Sequence, residues 1–196
     1  LVTGMDRNIG RVLQRLRDLS LRDDTLVIFS ADQGWNAGHH GVWGKGNGTV
    51  PYNMYEESIR VPLIWNHPGR IRAGSTSDAL VSSYDFLPTL LDYAGIAVPR
   101  DSHRPGVSYK RCLQGNSLPH RDSLCFEYAY MRAIRTRTHK YVERTAPMPS
   151  ELFNLAADPG ETTNLINDAR QSATRAGLSR SMNYFFRRAG APPLNQ

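Results

Sequence analysis

The stretch Thr25-Leu-Val-Ile-Phe-Ser-Ala-Asp-Gln-Gly34, followed by Gly38-His-His-Gly-Val-Trp-Gly-Lys-Gly46, sets hard oxygen ligands beside a cation. An apolar, β-prone run that stops at Asp32 and Gln33 delivers a carboxylate and an amide carbonyl to a strand's carboxyl end, where open α/β sheets hold ligands. Oxygen donors of that kind suit Ca²⁺ or Mg²⁺ better than a soft metal. Lys45 adds a positive charge within one loop's reach, so the pattern points to an anionic group bound beside a metal. The competing reading is a solvated turn, because Asp and Gly are common turn residues. Against it stand the apolarity of the strand, the glycines at 38, 41, 44, 46 and 48, which allow close backbone approach, and the placement of Lys45 among them.

Working outward, Met5, Ile9, Val12, Leu13, Leu16 and Leu19 recur at helical spacing with arginines flanking them, which predicts a surface helix packed on a sheet. Residues 25–30 read as a buried central strand. Val61-Pro-Leu-Ile-Trp65 is the next strand, with Pro62 at its start or on an edge. Asp78 to Val81 reads as another. A helix capped by Ser83 or Asp85 then turns Phe86, Leu87, Leu90, Leu91 and Ala94 inward and ends at Gly95. This alternation marks a sheet covered by helices. From Pro99 to Pro119 the composition shifts to Gly, Pro, Ser and Arg, a connection over the surface. Short strands are expected at 123–130, 133–137 and 140–144, and helices at 161–177 and 178–189.

The string ADQGWNAGHHGVWGKGNG, continued by Tyr55-Glu-Glu-Ser-Ile-Arg-Val-Pro-Leu63, resembles the second half of a type I sulfatase catalytic domain, within the alkaline-phosphatase-like superfamily. Arg132-Ala-Ile-Arg-Thr-Arg-Thr-His-Lys-Tyr-Val142 and Glu151-Leu-Phe-Asn-Leu-Ala-Ala-Asp-Pro-Gly-Glu-Thr-Thr-Asn-Leu165 resemble the C-terminal subdomain of the same family. The resemblance implies an α/β fold, the C-terminal part of an alkaline-phosphatase-like sandwich, followed by a small α+β subdomain with a short antiparallel sheet. The expected division is 1–98 for the end of the catalytic domain, 99–119 for a connecting segment and 120–196 for the subdomain.

The implied activity is hydrolysis of sulfate monoesters by a formylglycine nucleophile with bound Ca²⁺. Asp32 and Gln33 match the family's metal pair, and Lys45 its sulfate-contacting lysine. His40, and less directly His39, are candidates for contacting the sulfate or protonating the leaving alkoxide, since imidazole titrates near neutrality. Trp35, Asn36 and Trp43 either line the substrate mouth or pack internally. Glu56, Glu57 and Arg60 have the spacing of a helical turn with an internal ion pair, which is architecture rather than catalysis. His67, His103, His120 and His139 read as loop or surface residues.

The family's nucleophile motif, Cys/Ser-x-Pro-x-Arg, precedes the metal loop. The 31 residues ahead of Asp32 contain no Cys and no Pro, so the chain is expected to be a fragment, inactive alone. Ser117-Leu-Pro-His-Arg121 fits the motif formally but follows the metal loop and reads as a turn into the next strand. Two other readings remain open: a phosphonate monoester or phosphodiester hydrolase of the same superfamily, and a non-catalytic protein that binds a sulfated ligand.

At 196 residues with 40% hydrophobic content the chain can bury a core. Its apolar runs are far shorter than the roughly 20 residues of a membrane span. The net charge of +6 and pI near 9.6 favour polyanions. The arginines are scattered, however, with no basic helical stripe of the nucleic-acid-binding kind; the partner that the resemblance implies is a sulfated small molecule or carbohydrate. Cys112 and Cys125, the only cysteines, are either free thiols or one disulfide. The compartment stays open; the resemblance permits a periplasmic, secreted or lysosome-like one.

Overall fold

A computed structural model of the chain describes residues 2–46, 48–97, 104–116 and 120–194. Ser117 and His103 lie outside the described residues. Helix α1 (Val2–Asp18) leads through a turn to β1 (Val27–Ser30), which pairs antiparallel with β4 (Leu63–Asn66). Between them lie the two-residue strands β2 (Asn36–Ala37) and β3 (Trp43–Gly44), paired with each other, and the one-turn helix α2 (Glu56–Ile59). Then come α3 (Phe86–Tyr93) and the short α4 (Lys110–Leu113). A four-stranded antiparallel meander follows, β5 (Ser123–Tyr128), β6 (Met131–Thr136), β7 (His139–Arg144) and β8 (Glu151–Asn154), and α5 (Ser172–Arg188) ends the described fold.

The meander is covered on both faces, and strand alternation decides which side chains go where. Cys125, Ile134, Tyr141 and Leu152 point to one face and meet Leu178, Met182 and Phe186, spaced i, i+4, i+8 along α5. On the other face Met131, Ala133 and Val142 pack against Met54, with Tyr52, Ile59 and Phe126 at the margin. That second face also carries Arg135, Lys140 and Arg144, all directed at residues 52–56. The segment leading out of the candidate metal loop is therefore pressed onto the C-terminal sheet.

Several expectations need correction. No residue of α1 is buried, and Met5, Val12 and Leu19 are 50, 62 and 47% exposed. Helical periodicity is local, whereas its coverage depends on neighbours that the described residues do not provide. β1 is half-buried, not a strand buried on both faces. Residues 78–81 join no ladder. Asp85 stands at the N-cap of α3, one of the two positions expected, but its side chain closes a capping box with Ser82 across the preceding 3-10 turn (Ser83–Asp85), and Leu87, expected inward, is 52% exposed. Within the Pro99–Pro119 connection Tyr109 is buried, its amide donating to Thr89 Oγ1 at 3.0 Å. β8 was not anticipated, and 161–168 is not helical.

Two histidines read as loop or surface residues do lie in loops, but their side chains are buried. His67 bridges the Tyr93 hydroxyl (2.9 Å) and the Asp23 carbonyl (3.1 Å). The His120 side chain is 6% exposed, 3.5 Å from the buried Asp85 carboxylate. His139 is half-buried, at 2.9 Å from Thr138 Oγ1. Cys112 and Cys125 are free thiols.

Candidate active site

β1 ends at Ser30, and the chain bends through Asp32 and Gln33 as the apolar run predicts. Asp32 is exposed and Gln33 half-buried. The next residue approaches α2 so closely that no side chain fits. Gly34 N donates to Ser58 O at 3.0 Å, and a Cβ on Gly34 would lie 1.9 Å from Glu57 O. Asn36, 0% exposed, donates through Nδ2 to Ser58 Oγ at 2.5 Å.

The other arm of the loop is tied to the same helix. Ser58 Oγ donates to Asn53 Oδ1 at 2.5 Å, and Asn53 N donates to Gly46 O at 3.2 Å, one residue beyond Lys45. A Cβ on Gly46 would stand 2.8 Å from both Asn53 O and Ser58 Cβ. Lys45 itself is exposed. Among the described residues, the side chains of Asp32, Gln33 and Lys45 have no hydrogen-bond or ion-pair partner. A carboxylate, an amide and an ammonium, each without a partner among the described residues, stand on two loop arms fastened to one turn of helix.

The two histidines occupy different settings. His39 is exposed, and its Nδ1 accepts from Ala37 N at 3.2 Å, a bond within the loop. His40 adopts a left-handed backbone (φ 53°) and stacks flat on Tyr55, with ring centroids 3.6 Å apart. Its Nε2 lies 3.4 Å from Glu57 Oε2. Burial, then the charge of Glu151, raises the Tyr55 hydroxyl above its ordinary pKa, with Arg144 opposing. A cavity of about 130 Å³ opens beside this stack, reaching Arg144 and Glu151. Trp35 and Trp43 meet edge to face at 6.5 Å and are 51 and 72% exposed.

Glu56, Glu57 and Arg60 do not form the ion pair their spacing suggests. Glu56 instead bridges Arg135 (3.2 Å) and Lys140 (3.3 Å). These two cations face each other directly across β6 and β7, a repulsive arrangement that the carboxylate relieves. Burial pushes the Glu56 carboxyl up, but Lys140 and Arg135 outweigh it and hold the group below its ordinary value. Glu161, 3% exposed and also left-handed (φ 52°), pairs with Lys140 at 2.6 Å. Burial leaves its carboxyl raised despite the opposing pull of Lys140.

Sequence reasoning missed a further cluster, in which ligand atoms of His40, Glu57 and Glu161 lie within 4.8 Å of one another. The ammonium of Lys140 already neutralises Glu161 there, which disfavours a divalent ion. The adjacent acids at 56 and 57 were a visible signal; their partners, far along the chain, were not.

The family model described as N-sulphoglucosamine sulphohydrolase, C-terminal, matches residues 38–187. A curated relative, the N-acetylglucosamine-6-O-sulfatase of Bacteroides thetaiotaomicron, is 34% identical over 190 residues, covering 90% of this chain and 33% of the relative. The chain thus spans about a third of that relative's length. A solved structure of a protein in complex with its substrate D-glucosamine-2-N,6-O-disulfate superposes with a TM-score of 0.88 at 31% identity, over 98% of this chain and 40% of that one. The phosphonate monoester hydrolase of Agrobacterium radiobacter gives 0.83 at 29% identity, over 96% and 40%. The fold defines an α/β scaffold of the alkaline-phosphatase-like class. Within it, the chain belongs to the sulfatase family and corresponds to its C-terminal region.

Proposed function

We propose that the full-length protein is a sulfuric ester hydrolase acting on a sulfated carbohydrate, and that this chain supplies part of its metal site and one of its sulfate contacts. The observation that carries this reading is the trio Asp32, Gln33 and Lys45, whose side chains have no partner among the described residues, on loop arms held by α2. Asp32 and Gln33 have the hard oxygen chemistry that Ca²⁺ prefers, and they furnish two of the six to eight oxygens that ion takes. A bound divalent cation would stabilise negative charge on the sulfuryl oxygens.

Lys45 would contact a sulfuryl or bridging oxygen, adding a fixed positive charge where the leaving alkoxide develops. His39 and His40 are retained as candidate sulfate contacts. The stack on Tyr55 and the approach to Glu57 give His40 a role in fixing the loop's shape as well. The nucleophile, formylglycine in the family the sequence resembles, is assigned to no residue of this chain.

The likeness to an N-acetylglucosamine-6-O-sulfatase, and to a protein solved with D-glucosamine-2-N,6-O-disulfate as its substrate, supports a sulfated amino sugar as substrate. The test is sulfate release from glucosamine 6-O-sulfate by the full-length protein. The expected result is Ca²⁺-dependent turnover, lost in Asp32→Asn and at least 100-fold slower in Lys45→Ala, in line with removing one preorganised oxyanion contact. Turnover unaffected by either substitution would refute it. The likeness to a phosphonate monoester hydrolase favours a second reading; a higher kcat/KM on a phosphonate monoester than on any sugar sulfate would establish it.

A further inference from the structure

The two arms of the candidate site share one support, and that support cannot stand alone. α2 has four residues, and an isolated single turn is unstable in water. Toward the site, Ser58 holds Gly34 and Asn36 on the Asp32 side, and Asn53, hence Gly46, on the Lys45 side. Away from the site, Glu161 Oε2 accepts from Glu56 N at 2.6 Å, closing the free end of the turn. Lys140 Nζ donates to Met54 O at 2.6 Å, two residues earlier, and both its carboxylate partners grip the same turn. The side chains of Lys140 and Glu161 are 0% exposed, so the ties are shielded from water.

We infer that Glu56, Lys140 and Glu161 are positioning residues, which fix α2 on the C-terminal sheet and thereby set the separation between the Asp32–Gln33 oxygens and the Lys45 amine. This rests on the proposed reading of that site. An ion triad that served stability alone would be equally effective anywhere on the sheet face. This one ends on backbone groups of residues 54 and 56, beside the serine that fastens both arms. Gly34 and Gly46, neither of which leaves room for a Cβ, sit where those arms meet α2 and its neighbour Asn53. Such contact geometry transmits a displacement rather than absorbing it, because closely packed backbone has no slack.

The test uses the full-length protein in two variants. Ser58→Ala removes the shared hydroxyl. Lys140→Met combined with Glu161→Gln removes the buried charge pair together, leaving no uncompensated ion between them. Both are studied at a temperature where circular dichroism shows them folded. Calorimetric titration with Ca²⁺ is expected to show affinity reduced 10- to 100-fold, the usual effect of losing an outer-shell support. The kcat on glucosamine 6-O-sulfate should recover at saturating Ca²⁺, with KM still raised. A role confined to stability would lower the melting temperature and leave Ca²⁺ affinity and the kcat-to-KM split unchanged, which would overturn the inference. If the wild-type protein binds no Ca²⁺, the metal reading falls separately, and amide hydrogen exchange at Gly34 and Asn53 still decides the positioning role. Faster exchange in both variants sustains it, and unchanged protection at both amides overturns it.

Discussion

Replacing Lys140 alone by Met removes a fully buried cation and leaves its partners behind. The Glu161 side chain is 0% exposed and loses its 2.6 Å ion pair, while Glu56 keeps Arg135. Breaking a buried pair from one side costs about 3–5 kcal/mol, because the remaining charge is neither hydrated nor compensated. With a urea m-value of about 2–3 kcal/mol/M, the midpoint should fall by roughly 1–2.5 M. The pH dependence is the sharper readout. Burial already raises the Glu161 carboxyl while Lys140 pulls it down; without Lys140 it rises further. A carboxyl raised in the folded state contributes stability below its unfolded pKa and loses it as pH climbs through the folded value. The deficit of Lys140→Met should therefore be smaller at pH 5 than at pH 8. Glu56, held low in the wild type, makes a contribution that is present above its unfolded value and lost as pH falls through the folded one, so its share of the deficit also shrinks toward low pH. Urea titrations at both pH values check this. A deficit under about 1 kcal/mol at pH 8, or a larger one at pH 5, would refute the assignment of Lys140 as the compensating charge.

Gly34→Ala should destabilise the protein by roughly 2–4 kcal/mol, combining overpacking against backbone atoms that cannot rotate away with the loss of the bond to Ser58; an unchanged melting curve would contradict the close approach. Burial pushes the Cys125 thiol up to about 12, and Cys112 is only half-buried. Since the thiolate is the nucleophile, iodoacetamide at pH 8 should alkylate Cys112 first in the folded protein, and peptide mass mapping that finds Cys125 modified first would argue against the packing under α5.

What the sequence made legible is what neighbouring residues decide among themselves. The halt of β1 before Asp32 follows from an apolar run meeting an acid, an amide and a glycine. The strands β5, β6 and β7 follow from alternation, to within a residue or two at their ends. The expected helix over 161–177 failed at its front half for a reason that is also local but chemically finer. Asp158 accepts from Thr163 N and Thr162 Oγ1, and Asn164 Oδ1 accepts from both Leu152 N and Ile166 N. Side chains that bond nearby amides compete with the helical ladder. Asn164 also secures β8, whose four residues are too few for alternation to register. The burial of the His67 and His120 side chains was not legible because their partners come from elsewhere in the chain.

The string Tyr55-Glu-Glu-Ser58 shows why a motif can be recognised without its purpose being read. Around a helical turn, successive side chains rotate by about 100°, so adjacent letters address different parts of the fold. Tyr55 lies against His40 and Phe153, Glu56 against Arg135 and Lys140 on the sheet, Glu57 against His40, and Ser58 against Asn36 and Asn53. Spacing of three and four suggests partners within the turn, but one turn has too little helix on either side to supply them. The charges must therefore be satisfied from outside, and residues 79 and 84 positions away do so. A short helix studded with acids between two glycine-bearing loops is a junction: its side chains are matched to the elements it joins.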